Sequence, residues 1–169
     1  SVSSRAADLL GRPLAKLTFL LNYTVHRLDV TGYRLVNLAL HIANALLVYY
    51  LTGLTLGRMH QRTQSTPLLV CLLWLALPPH IQSVTYIVKR MNLLATMFYL
   101  LALICYIQGR IRQNETSGKG KGVLLFSGCA LCGLVGLTAR ETIVTLPIFL
   151  FLYEWYFFQN REAAWLKKR

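Results

Sequence analysis

Charged residues are scarce in this sequence. Only 14% of its 169 residues are Asp, Glu, Lys or Arg, whereas 55% are hydrophobic, and the mean hydropathy is +0.47. Soluble domains carry about 25% charged residues. The composition therefore excludes a soluble globular domain and predicts an integral membrane protein.

Acidic residues are the rarest charged class. Six Asp and Glu stand against 18 Lys and Arg, which gives a formal net charge of +12. An excess of this sign can indicate nucleic-acid binding, but here many of the basic residues lie in connections between apolar runs, as membrane topology requires. We therefore expect contacts with membrane lipids, the anionic ones above all, and no nucleic-acid partner.

Cysteine is also sparse, with four residues that all lie inside apolar runs. Cys129 and Cys132 have the spacing of a metal-binding pair, but no second pair of ligands accompanies them. Buried thiols of this kind more often fill space than bind metal or form disulfides. We therefore predict no metal-ligating residues in this sequence and no firm cofactor. Whether the complete protein requires a divalent metal is left open.

Long apolar runs separated by short connections are what the sequence does contain. Continuously apolar stretches such as residues 72–77 do not alternate as strands of a membrane barrel would. We therefore predict an all-α membrane bundle with about five transmembrane helices within residues 35–158. The five runs cover residues 35–57, 67–88, 91–108, 122–138 and 142–158.

The segments on either side of the bundle are polar or amphipathic. Residues 1–34 are predicted to lie outside the cytoplasm, with an amphipathic helix at 13–28 that rests on the membrane surface. This helix is either an anchor or a roof over a groove where a lipid-linked substrate enters. Residues 159–169 are expected to be a cytoplasmic basic tail that leads into a missing part of a longer protein.

Basic residues in the short connections predict the orientation of the bundle. Ten Lys and Arg lie in residues 58–66, 109–121 and 159–169, whereas three lie in the connections on the opposite side. The positive-inside rule makes the first side cytoplasmic. Lys89, Arg90 and Arg140 are then basic residues on the extracytoplasmic side, where that rule does not explain them.

Arg140 and Glu141 form a charged pair between two apolar runs, of which residues 122–138 hold no charge and residues 142–158 hold one. Ionisable residues at membrane depth are rare and usually mark a site. The pair is either part of a site or an Arg–Glu contact that closes a helical hairpin.

The second apolar run is predicted to contain a break on the side of the membrane that holds Arg140 and Glu141. Pro78 and Pro79 interrupt the second apolar run, and such a break is tolerated where protein or water shields it. His80, Tyr86 and Arg90 follow, on the side of the membrane that holds Arg140 and Glu141. A shared extracytoplasmic pocket is one interpretation, and a proline kink followed by interfacial anchors is the other.

One face of the first apolar run is polar, because Asn37, His41 and Asn44 recur at spacings of four and three. Such side chains usually bond to a neighbouring helix, which favours an interior position for this helix.

Six stretches in a fixed order form a pattern that spans nearly the whole sequence. They are Arg12-Pro13-Leu14 to Asn22-Tyr23, Gly32-Tyr33-Arg34-Leu35-Val36-Asn37 to His41, Asn44-Ala45-Leu46-Leu47-Val48, Val84-Thr85-Tyr86-Ile87-Val88-Lys89-Arg90-Met91, Arg140-Glu141-Thr142 to Thr145-Leu146-Pro147, and Leu152-Tyr153-Glu154. The pattern resembles the transmembrane and tetratricopeptide-repeat-containing O-mannosyltransferases and their bacterial relatives. Two features depart from that family: the order Pro78-Pro79-His80, and the absence of a matching acidic motif around Asp8.

The resemblance implies a GT-C glycosyltransferase fold, a polyprenyl-phosphate sugar donor, a protein or other acceptor, and catalysis on the extracytoplasmic side. It also implies that the catalytic carboxylate comes from an acidic motif upstream of Ser1. Arg90 and Arg140 would then bind the donor phosphate, since guanidinium pairs with phosphate oxygens bidentately.

Two hypotheses follow from the sequence. The first is a fragment of such a glycosyltransferase, inactive alone, in a multi-pass membrane protein of the bacterial inner membrane rather than of the endoplasmic reticulum. The second is a non-enzymatic membrane protein, either a transporter or an assembly subunit.

Overall fold

The computed structural model describes Leu20, Tyr23 and residues 30–59, 65–77, 90–113 and 119–158. Within these ranges every regular element is helical, and no strand occurs. The five α-helices are α1 (Val30–Arg58), α2 (Ser65–Ala76), α3 (Arg90–Gln113), α4 (Lys119–Leu137) and α5 (Leu146–Tyr153). A 3₁₀ helix at Glu141–Thr145 leads into α5, and a π-helical turn at Glu154–Phe158 follows it. The all-α prediction is confirmed for these residues.

Three helical stretches of the described chain are long and apolar enough to cross a membrane: Thr31–Arg58, Arg90–Gln113 and Glu141–Phe158. Helix α2 and residues Gly122–Leu137 are apolar but shorter. The 12 residues of α2 rise ~18 Å, whereas the hydrocarbon core is ~30 Å thick. The membrane prediction therefore holds in its general form, and the count of five spans is not confirmed.

Two predicted features lie largely outside the described residues. The amphipathic helix at 13–28 is described at Leu20 and Tyr23 alone, and the interrupted part of the second apolar run, with His80 and Tyr86, is not described. Both stay predictions.

Helix α3 is the centre of the bundle. It packs against α1 on one side and α4 on another, and its buried apolar side chains join residues of the 3₁₀ helix and α5 in one core. The buried members of that core are Leu94, Ala95, Ala102, Leu103, Cys129, Ala139, Ile143 and Leu146.

Small residues bring α3 and α4 close together in an antiparallel pair. A Cβ atom placed on Gly109 would lie 3.3 Å from Cζ of Phe126, and one placed on Gly128 would lie 3.7 Å from Sγ of Cys105. The later residue of α3 faces the earlier residue of α4, so the two helices are antiparallel. Glycine at these positions permits the close approach, as small residues do in membrane helix pairs.

Helices α1 and α5 run parallel to α3. Early residues of α1 contact the first turn of α3, whereas Tyr50 bonds to Gln108 near its end at 2.5 Å. For α5, Phe149 stacks edge to face on Tyr99 with ring centroids 6.0 Å apart. Glu154, further along the chain, contacts Arg110, which lies further along α3. The bundle therefore has two ends. The amino end, named for α3, holds Tyr33, Asn37, Arg90, Asn92, Arg140 and Glu141, and the carboxyl end holds Arg58, Tyr106, Arg110, Glu154 and Phe158.

Candidate functional site

A tight turn after α4 places Arg140 at the amino end. The N–H groups of Ala139 and Arg140 both donate to the carbonyl of Gly136, at 2.9 and 3.1 Å. Arg140 itself is extended, with φ −161° and ψ 147°, and the 3₁₀ helix starts at the next residue. A Cβ on Gly136 would lie 2.1 Å from Cδ1 of Ile143. The absence of a side chain at Gly136 thus lets the returning chain pack directly on the end of α4.

The half-buried Arg140 side chain donates a hydrogen bond from Nη1 to the amide oxygen Oδ1 of Asn92. Guanidinium has five donors and no acceptor, so the oxygen of Asn92 must be the atom that faces it. Asn92 lies in the first turn of α3, two residues after Arg90. Sequence reasoning assigned no role to Asn92, and its position two residues after a basic helix start was the available signal.

Arg90 is the most deeply buried charged residue of the described chain, with none of its surface exposed. Its Nε donates to Oδ1 of Asn37 at 2.9 Å, and its Nη2 donates to the carbonyl oxygen of Tyr33 at 3.2 Å. The guanidinium carbon also lies 5.5 Å from the centre of the Tyr33 ring, within the range of a cation–π contact. These contacts offset the cost of burying a charge and fix the start of α1 to the start of α3.

The polar face of α1 packs toward the first turns of α3. Asn37, His41 and Asn44 are all buried, with exposed fractions of 0%, 5% and 1%. Nδ2 of Asn44 donates to the carbonyl oxygen of Leu93 at 3.0 Å. The Asn37 and Asn44 side chains therefore tie two helices together near the amino end.

The structure brings Arg90 and Arg140 to one end of the bundle but not to one side of α3. Arg140 reaches Asn92, and residues two apart on a helix point ~200° away from each other. Glu141 is exposed at the same end, whereas His80 and Tyr86 lie outside the described residues. Whether both arginines bind a single phosphate is not tested by these positions, and it stays a prediction.

A second polar cluster, at the carboxyl end, was not predicted. The carboxylate of Glu154 accepts from Nε of Arg110 at 3.1 Å, from Nη2 of the same residue, and from the hydroxyl of Tyr106 at 3.0 Å. Glu154 is buried, and Arg58 places its guanidinium carbon 4.1 Å from the Phe158 ring centre just beyond it. The available signal was Glu154 itself, a single acidic residue within an otherwise apolar run, to which sequence reasoning assigned no partner.

No group of three or more His, Cys, Asp or Glu in the described ranges is arranged to hold a metal ion. The thiols of Cys105, Cys129 and Cys132 lie in the interface of α3 and α4 as free cysteines.

Comparison with known proteins identifies relatives along most of the chain. It is 31% identical over 145 residues to "Protein O-mannosyl-transferase TMTC2" of Homo sapiens, an overlap that covers 83% of this chain and 17% of that protein. It is 27% identical over 158 residues to Tmtc3 of Drosophila melanogaster, covering 85% of this chain and 17% of the relative. A Caenorhabditis elegans protein O-mannosyl-transferase, F38B6.6, is 34% identical over 110 residues, which cover 65% of this chain and 16% of the relative.

The chain thus spans about a sixth of the length of the curated relatives that it matches. No protein-family model matches it. No solved structure matches it either. The resemblance to the TMTC proteins, predicted from motifs, is confirmed.

Proposed function

We propose that this chain, a relative of the TMTC protein O-mannosyl-transferases, is a segment of a membrane glycosyltransferase. The complete protein would transfer a sugar, with mannose as the candidate, from a polyprenyl-phosphate donor to a hydroxyl group of an acceptor protein. The observation that carries the proposal is similarity along 83% of the chain to a protein named as an O-mannosyl-transferase. That name favours the enzyme hypothesis over the non-enzymatic one.

The reaction requires two protein groups, a carboxylate beside the acceptor hydroxyl and a cation beside the donor phosphate. A carboxylate accepts the proton of the acceptor hydroxyl, whose oxygen forms a bond to that carbon. The bond between the carbon and the phosphate oxygen breaks, and polyprenyl phosphate leaves with the electron pair. Negative charge therefore grows on the phosphate, so a fixed cation there lowers the barrier. The resemblance assigns the carboxylate to the part of the protein before Ser1.

Arg140 is the better candidate for direct contact with the phosphate, and Arg90 is the better candidate for a structural role. Arg90 is fully buried, and both Nε and Nη2 already donate to oxygens of α1. Arg140 is half-buried, and the hydrogen bond of its side chain within the described chain leaves from Nη1. The Nε and Nη2 edge of Arg140 therefore has donors for a ligand.

We place the amino end on the extracytoplasmic side. The support is the bias of Lys and Arg toward the short connections at the other end. The bacterial inner membrane, favoured by the sequence over the endoplasmic reticulum, stays an untested prediction, and the three relatives named above are animal proteins.

The proposal is tested in the full-length protein with a polyprenyl-phosphate mannose donor. Arg140→Lys keeps the charge but loses the planar fork, and we expect kcat/KM for the donor to fall by ~10- to 100-fold. Arg112→Lys is the matched control, because Arg112 is exposed at the opposite end of α3. Its kcat/KM should match that of the unmodified protein.

Two results would contradict the proposal. Full-length protein that accumulates in the membrane and transfers no sugar from any polyprenyl-phosphate donor would remove the enzymatic assignment. Equal donor kcat/KM in the Arg140→Lys and Arg112→Lys variants would remove the phosphate role of Arg140.

A further inference from the structure

Arg90, Arg110 and Arg140 each donate at least one hydrogen bond to a neutral oxygen, but they differ in what occupies the rest of the guanidinium. In Arg110, Nη1 donates to the amide oxygen Oε1 of Gln113 at 3.3 Å, while Nε and Nη2 together bind the carboxylate of Glu154. The amide thus holds one corner of the group, and the opposite edge receives an anion. This is the bidentate geometry that guanidinium offers to carboxylates and phosphates alike.

Arg140 repeats the first half of that arrangement. Its Nη1 donates to the amide oxygen of Asn92, as Nη1 of Arg110 does to Gln113. Among the described residues, no carboxylate occupies its Nε and Nη2 edge as Glu154 occupies that of Arg110. Arg110 therefore shows how the Nε and Nη2 edge binds an anion when Nη1 is held by an amide. Arg140 presents the same edge to a ligand.

We propose that Asn92 is a positioning residue for the lipid-phosphate donor: its neutral amide holds Nη1 of Arg140 and so directs the Nε and Nη2 edge at the two non-bridging oxygens of the phosphate. This inference rests on the proposed function of Arg140. An amide suits the task because it accepts a hydrogen bond without carrying charge. Aspartate at this position would accept the same bond but would compensate the arginine before the donor arrives and repel the phosphate.

The substitution Asn92→Asp separates the two roles that Asn92 can have. If the residue only stabilises the fold, a carboxylate keeps and strengthens the bond to Arg140, and activity is unchanged. If it positions an anion-binding arginine, Asn92→Asp raises the donor KM, and we expect a rise of about tenfold. Asn92→Ala removes the acceptor without adding charge, so its effect on the donor KM should be smaller than that of Asn92→Asp.

The assay uses the full-length protein in proteoliposomes, with steady-state kcat and donor KM measured at saturating acceptor. Sugar-free polyprenyl phosphate is added as an inhibitor, so that affinity for the phosphate is read independently of transfer. Gln113→Glu is the matched control, because it makes the same amide-to-carboxylate change beside Arg110 at the other end of α3. Its donor KM and its inhibition constant should equal those of the unmodified protein.

The outcomes distinguish this inference from the function on which it rests. Unchanged donor KM and inhibition in Asn92→Asp, with loss of activity in Arg140→Lys, would overturn the role of Asn92 and leave that of Arg140 intact. If neither Asn92→Asp nor Arg140→Lys changes activity or the donor KM, the roles of both residues are overturned. A greater KM effect of Asn92→Ala than of Asn92→Asp would show that the hydrogen bond to Arg140 matters and the neutrality of the amide does not, and would overturn the charge argument. Failure of Asn92→Asp to accumulate as folded protein would also contradict the inference, since the carboxylate is expected to keep the bond.

Discussion

Arginines at the two ends of α3 have different kinds of hydrogen-bond partner. At the carboxyl end, Arg110 meets the buried carboxylate of Glu154, and the pair is closed further by the hydroxyl of Tyr106. At the amino end, Arg90 and Arg140 donate to the side-chain oxygens of Asn37 and Asn92. Both kinds of partner satisfy donors, but only the carboxylate neutralises charge.

This difference separates packing from binding within a single bundle. A neutralised ion pair in an apolar setting ties helices together and has no charge left for a ligand. A cation held by an amide, as Arg140 is by Asn92, keeps its charge, so its field still attracts anions. The amino end is therefore suited to a phosphate and the carboxyl end to a structural joint between α3 and the last described helix.

The largest expected effect comes from breaking the joint at the carboxyl end. Glu154→Ala leaves Arg110 without its carboxylate, and loss of one partner of a buried pair costs about 3–5 kcal/mol. Because the Arg110 side chain is 27% exposed, we expect a loss of about 3 kcal/mol, near the low end of that range. The free energy of unfolding in detergent micelles, measured by denaturant titration, checks this value.

The control removes both charges at once. In the double variant Arg110→Met with Glu154→Met, no buried charge is left unpaired, so the loss of stability should be smaller than in Glu154→Ala. Equal losses in the two variants would show that packing volume, and not the ion pair, holds this end together.

A smaller effect is expected at the amino end, where an amide can be exchanged for a carboxylate. Asn37→Leu removes the acceptor of Nε of Arg90 inside a fully buried contact, which should cost about 1–3 kcal/mol. Asn37→Asp should be at least as stable as the unmodified protein, because an ion pair replaces a bond in which the arginine alone carries charge. Lower stability of Asn37→Asp than of Asn37→Leu, in the same unfolding assay, would contradict this expectation.

Much of this fold follows from the sequence, because hydrophobic periodicity is a local property. The run at 142–158 corresponds within a residue to the helical stretch Glu141–Phe158, and the buried face of Asn37, His41 and Asn44 follows from spacings of three and four. The lengths of the helices were less predictable. Helix α1 starts at Val30, before its apolar run begins, since polar residues near a membrane surface can continue a helix without being apolar.

The partners of the polar side chains could not be predicted in the same way. Arg140 and Asn92 are 48 residues apart, and Arg110 and Glu154 are 44 apart, so each contact depends on how three helices pack. The sequence offered an Arg140–Glu141 contact as one of two interpretations, because the two residues are adjacent in the chain. In the structure the Arg140 side chain donates to Asn92, in the first turn of α3.

The smallest effect is expected from the third hydrogen bond on Glu154. Tyr106→Phe removes the hydroxyl that donates to Oε2 at 3.0 Å, while Nε and Nη2 of Arg110 still satisfy the carboxylate. Single hydrogen bonds between membrane helices average about 0.6 kcal/mol, so the free energy of unfolding should fall by about that amount. The aromatic contact with Phe126, at 5.7 Å between ring centroids, is kept in the variant. If Tyr106→Phe lost as much stability as Glu154→Ala, the hydroxyl and not the arginine would be the main partner of the carboxylate, and the contrast between the two ends would no longer be one of charge.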